Sequence, residues 1–163
     1  MTDQIATHKI MDLTMFTHPP VIVGECPVGR RVNGYLKGGH FTGVNELQGE
    51  VLPFGGDWLV IRADGARALD VRATLKCNDG AVINLAYGGR WLAEPGHVDR
   101  VFDRERSHLA DPATYAIRVA MTAETGASNL AWLNDALLIG LGRRIEGGVK
   151  YAVHQVLDRY LGA

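Results

Sequence analysis

Apolar residues recur along this chain in short runs, and glycines fall between the runs. No long segment shows the spacing of an amphipathic helix. Nine runs read as strands: Ile10–Thr17, Val21–Cys26, Val44–Leu52, Trp58–Arg62, Ala68–Cys77, Ala81–Tyr87, Tyr115–Thr122, Ala136–Gly142 and Val149–Val156. Short strands punctuated by turn residues predict an all-β, mainly antiparallel domain. The stretch from Trp91 to Thr114 departs from the pattern. It is charged, it contains Pro95 and Pro112, and it is too long for a hairpin loop. Segments of this kind serve as lids or binding elements. One helical turn fits within Val98–His108. No repeat or low-complexity tract divides the chain, so residues 1–163 read as one domain.

The stretch from Gly55 to Gly89 fixes more detail. Asp64-Gly65 and Asp79-Gly80 separate three strand-like runs, which predicts a meander. Two loop lengths compete. Two-residue loops would place Asp57, Leu59, Ile61, Asp70, Arg72, Ile83 and Leu85 on one face, mixing charge with core. Three-residue loops closed by a glycine bulge sort the residues cleanly. One face then holds Leu59, Ile61, Leu69, Val71, Ala73, Leu75, Ile83, Leu85 and Tyr87. The other holds Trp58, Val60, Arg62, Asp70, Arg72, Thr74 and Asn84. A slip of one residue would exchange the faces, so a buried face selects the bulged register. It sets Trp58 opposite Asp70 and Arg72 near Gly56.

Asp70 and Arg72, two apart on a strand, point the same way. Trp58 and Asn84 join them from neighbouring strands. A flat indole, a carboxylate, a rigid guanidinium fork and an amide on one face would make a ligand wall. The plainer alternative is a solvated outer face carrying an ion pair, which contributes about 0–1 kcal/mol. A second cluster contains Trp132 and Asn134, where the indole also suits a core and the amide also suits a turn. Glu124, before Thr125-Gly126, stands at a strand end. The six histidines form no H-x-x-x-H pair. His97, Asp99 and His108 share the long segment, but a metal site there is the weaker reading.

Composition narrows the partners. At 163 residues, 47% hydrophobic and 21% charged, the chain is ordinary globular material. The net charge is −1 and no basic stripe carries interleaved aromatics, so nucleic acid is not expected. No apolar run approaches a membrane span, and Met1–Lys9 lacks a signal-peptide core, which makes the cytoplasm the expected compartment. Cys26 and Cys77 read as free thiols. No phosphate loop, dinucleotide fingerprint or G-x-S-x-G elbow is present, so no cofactor and no metal are expected.

Several ordered motifs resemble the family catalogued as domain of unknown function 3237. They include Gly38-Gly39-His40-Phe41-Thr42-Gly43, Gly49-Glu50-Val51-Leu52-Pro53 and Gly55-Gly56-Asp57-Trp58. The likeness continues through Leu69–Leu75, Asp79-Gly80-Ala81, Glu124-Thr125-Gly126, Ala131-Trp132-Leu133-Asn134 and Gly140-Leu141-Gly142. The resemblance implies a single antiparallel β-barrel with a central cavity, and a homo-oligomer, with a dimer favoured. It also favours turning the Trp58, Asp70 and Arg72 face toward that cavity. His40, Asn84, Met121 and Ala123 depart from the family pattern. The expected function is a cofactor-independent lyase or isomerase that moves a proton on a small, partly aromatic molecule. Asp70 or Glu124 would be the base, Arg72 would hold an anion, and His40 would be a second acid or base. Trp58, Asn84, Trp132 and Asn134 would bind the substrate. A non-catalytic small-ligand barrel is the alternative.

Overall fold

In the computed structural model, which describes residues 5–157, the alternating runs become nine strands. They are β1 (Thr7–Thr17), β2 (Val21–Cys26), β3 (Gly29–Gly43), β4 (Gln48–Ile61), β5 (Arg67–Cys77), β6 (Val82–Ala93), β7 (Tyr115–Thr125), β8 (Leu138–Ile145) and β9 (Gly148–Val156). Neighbours follow the order β1-β9-β8-β7-β6-β5-β4-β3-β2, all antiparallel. β1 also pairs with the C-terminal half of β3, from Met11–Gly43 to Phe16–Gly38. That ladder closes eight strands into a barrel and removes their free edges. β2 stands outside the ring and pairs with the N-terminal part of β3. No helix among the described residues is long and apolar enough to cross a membrane.

The strands differ from expectation where glycine misled the reading. β3 was not expected, because Gly38-Gly39 reads as a turn. Both glycines instead sit inside the strand with positive φ, where its register against β4 shifts between Tyr35 and Gly39. A Cβ on Gly39 would run into the Thr14 carbonyl across the β1 ladder. Similarly, β4 is one strand where two were expected. A register shift between Val51 and Gly55 carries it past Pro53, and Gly55 has φ 89°. A bulge is the place where a strand tolerates a proline without losing a ladder bond. Val44 begins a turn instead, with Asn45 and Glu46 left-handed at φ 50° and 60°.

The barrel interior is the apolar face of the meander. Val71, Ala73, Leu75, Ile83, Leu85 and Tyr87 are all at most 4% exposed. The two ends differ. Leu47, Cys77, Leu130 and Leu133 seal the end that carries the β3–β4, β5–β6 and β7–β8 connections. At the other end the long segment folds over the mouth. It contains α1 (Val98–Val101) and two 3₁₀ turns, Ser107–Leu109 and Pro112–Thr114. Its Val101 and Ser107 are buried. Arg104 donates to the Thr17 carbonyl at 3.0 Å, and Arg143 donates to the Pro112 carbonyl at 3.2 Å, which pins this cover to the rim. Around this mouth Val32, Asp57, Leu59, Trp91, Phe102 and Arg144 are half-buried.

Candidate active site

The polar residues inside the barrel gather below the covered mouth. Directly opposed residues of adjacent strands share a face. Asp57 opposes Val71, Val71 opposes Tyr87, and Tyr87 opposes Met121, so all four point inward. Tyr151 enters from β9, opposite Leu13 on one side and Gly142 on the other. The Tyr87 and Tyr151 rings meet edge to face, with centroids 5.6 Å apart. Glycines on β8 make room for Tyr151. A Cβ on Gly142 would stand 2.6 Å from Ile117 Cγ2 and 2.9 Å from Tyr151 Cε1, and one on Gly140 would stand 3.2 Å from Tyr151 Cδ1.

Asp57 Oδ1 accepts the Asp70 N–H at 3.0 Å, so the side chain stands in for a backbone partner beside the β4–β5 ladder. Its second oxygen accepts no hydrogen bond from the described residues. Burial pushes the Asp57 carboxyl up to about 6; the Asp70 N–H opposes this and the Asp70 charge adds to it. Both phenols are raised above the ordinary tyrosine range, mainly by burial, and each feels the Asp57 charge. They are therefore neutral donors at pH 7. The Tyr87 hydroxyl also reaches a weak acceptor, Met15 Sδ at 3.9 Å. A carboxyl poised near neutrality beside two protonated phenols can exchange protons with a bound molecule.

A second layer lies between this group and the cover. Arg144 Nε donates to Ser107 Oγ at 3.1 Å, and the Arg144 backbone N–H donates to the Tyr115 hydroxyl at 2.9 Å. The Arg144 guanidinium carbon is 5.1 Å from the centre of the Trp91 ring. Trp91 packs edge to face on Phe102 at 4.9 Å, and the Arg67 guanidinium carbon sits 3.1 Å from the Phe102 ring centre. Burial lowers both guanidinium pKa values, that of Arg67 to about 10.

The sequence profile of a protein family of unknown function, DUF3237, matches residues 6–156. The chain belongs to this family. A UPF0311 protein of Rhodopseudomonas palustris is 30% identical over 157 residues, which covers 96% of this chain and 100% of that one. The crystal structure of a conserved R. palustris protein of unknown function superposes with a TM-score of 0.86 at 28% identity, covering 96% of this chain and 100% of that one. An enzyme from Penicillium herquei superposes with a TM-score of 0.68 at 17% identity, covering 96% and 98% of the two chains. At that identity the likeness shows the fold alone.

In this DUF3237 barrel the residues singled out from sequence lie elsewhere. Trp58, Asp70 and Arg72 face outward, because the apolar residues between them fill the interior. Asp70 and Arg72 form an ion pair at 2.7 Å, with their side chains 60% and 59% exposed. The expected turn of this face toward the cavity is thus reversed by the larger apolar face. Trp58 is half-buried, and its carbonyl accepts from Arg31 at 3.0 Å. Arg72, Asn84, Glu124 and Asn134 come together along an outer hollow of about 480 Å³. Asn134, in the 3₁₀ helix Ser128–Asp135, is engaged with the end of β7: it accepts the Thr125 N–H at 2.8 Å and donates to the Thr125 carbonyl at 3.1 Å. His40 lies in a different hollow with His18, Lys37, Arg104 and Glu146, and Trp132 packs against the core. No three potential metal ligands gather among the described residues, so His97, Asp99 and His108 do not meet. Cys26 and Cys77 are free. Asp57 was the residue the sequence reading passed over. Its signal was its place in the series Asp57, Leu59, Ile61, a carboxylate at an inward position.

Proposed function

We propose that this barrel is an enzyme of the lyase or isomerase kind, moving a proton on a small, partly aromatic metabolite below its covered mouth. Asp57 carries the reading, because it is the carboxyl that burial holds near neutrality and that turns inward. In its ionised form it takes a proton from a carbon or hydroxyl of the substrate. The electron pair left behind becomes an enolate or phenolate, and the Tyr87 and Tyr151 hydroxyls can donate to that oxygen. In an isomerase the Asp57 carboxyl returns the proton to a second atom. In a lyase the electron pair expels a leaving group, which takes the proton. The P. herquei relative, described as an enzyme, supports catalysis on this fold. The aromatic walls, Trp91 and Phe102, support a flat substrate.

The test is a thermal-shift screen against small phenolic and hydroxy-acid compounds, with each hit followed by mass spectrometry. Wild type is expected to convert a stabilising compound. The folded Asp57→Asn variant is expected to lose about 10²–10⁴-fold in rate, the usual contribution of a general acid or base. Undiminished turnover by that variant would remove Asp57 from the chemistry. A compound that stabilises and stays intact would make the chain a binding barrel instead.

A further inference from the structure

Several donors at the covered mouth lack a charged or polar partner among the described residues. Arg144 points inward in the series Leu138, Gly140, Gly142, all three buried. Its Nε has Ser107, but the described residues include no carboxylate within 4 Å of its guanidinium. Among the described residues Arg67 likewise has no carboxylate and donates only to the Gly65 carbonyl, at 2.8 Å. Trp91, directly opposite Arg67, has a buried indole N–H without an acceptor. The Tyr115 hydroxyl accepts from the Arg144 backbone and keeps its own proton to give. Leaving a guanidinium half-buried without a counter-charge is costly, and a buried N–H without an acceptor costs about 1–3 kcal/mol more. A ligand that brings acceptor oxygens offsets both.

We infer that Arg144, helped by Trp91 and Arg67, binds an organic carboxylate of the ligand between the barrel and its cover. A planar carboxylate matches the guanidinium fork, and the Trp91 and Phe102 rings beside it suit an aromatic body. This assignment rests on the proposal that the barrel interior is the ligand site, and it adds the substrate class: aromatic carboxylates. The long segment then acts as cover for the anion, since Ser107 holds Arg144 and Phe102 lies under Arg67.

The test titrates the full chain with benzoate, phenylacetate and 4-hydroxybenzoate, with their primary amides as neutral counterparts, and with inorganic phosphate. Calorimetry and tryptophan fluorescence read the binding. Carboxylates are expected to bind about tenfold or more tighter than their amides, the scale of one charge-assisted hydrogen bond. Arg144→Gln should erase that preference, and the outward-facing Arg72→Gln should keep it. If Arg144→Gln does not fold, Arg67→Gln should weaken the preference. Equal binding of acid and amide, a preference that survives Arg144→Gln, binding of phosphate alone, or binding of none of these probes overturns the inference. Asp57→Asn separates the two ideas. Carboxylate binding that needs Arg144, with no conversion of any bound compound, leaves this inference standing and removes proton transfer. Turnover that needs Asp57, without a carboxylate preference, does the reverse.

Discussion

Replacing Asp57 by asparagine should stabilise the protein, and by more as the pH rises. In the folded state the carboxyl titrates near 6, against 3.8 for the unperturbed group. The difference is about 2 pH units, or about 3 kcal/mol at 1.36 kcal/mol per unit. The sign follows from proton counting. Between the two values the folded state holds more of this proton than the unfolded state, so stability falls as pH rises through that window. Below pH 3.8 both states are protonated and the cost vanishes; above pH 6 it is complete. Asp57→Asn removes the charge and keeps an oxygen for the Asp70 N–H. Its advantage over wild type should therefore be small at pH 4 and approach about 3 kcal/mol at pH 8. For a domain of this size that corresponds to about 6–12 °C in Tm. Thermal unfolding of both proteins from pH 4 to 8 reads it, and their difference cancels every other titrating group. A difference that does not change with pH refutes the burial of this carboxyl.

Two other substitutions test the division between inside and outside. Asp70→Asn should cost no more than about 1 kcal/mol and leave any turnover intact, because its ion pair is exposed; urea unfolding and the activity screen check this, and lost turnover would return the outer face to the chemistry. Gly142→Ala should destabilise by about 1–3 kcal/mol, because the new methyl meets Ile117 at its branched carbon and the edge of Tyr151; urea unfolding reads the cost, and a neutral effect would mean that the Tyr151 ring has room to move.

The meander was legible because alternation fixes which residues share a face. The series Leu69, Val71, Ala73, Leu75 and the series Ile83, Leu85, Tyr87 are buried as expected, and Arg72 opposes Gly56 in the bulged register. Which polar residues lie inside was not legible in the same way. Asp57, Arg144 and Tyr151 come from β4, β8 and β9, and only the closing ladder between β1 and β3 brings those strands around one space. Local pairing says nothing of that closure. The resemblance drew Trp58, Asp70 and Arg72 toward the cavity because they are the polar cluster visible within one hairpin. Packing decides otherwise, since turning that face inward would expose the whole aliphatic one.

On the proposed reading, the barrel separates stability from chemistry by depth. At the sealed end Leu47, Leu75, Ile83 and Leu133 fill the space, and Leu75→Ala there would carry the usual loss of about 2–5 kcal/mol with no functional meaning. Toward the mouth the same inward positions change character, to Asp57, Tyr87 and Tyr151 and then to Arg67, Trp91 and Arg144. The change coincides with the place where β3 parts from β1. Their ladder ends at Thr17–Leu36, and the N-terminal half of β3 continues outward to pair with β2. Without β1 beside it, that stretch of wall leaves Val32 and Asp57 half-buried, and the long segment covers the mouth where the barrel's own strands do not. The cover is held to the rim by side-chain hydrogen bonds and to the core by Val101 and Ala110. A ligand bound as proposed would have to pass this cover to reach Asp57 and Arg144.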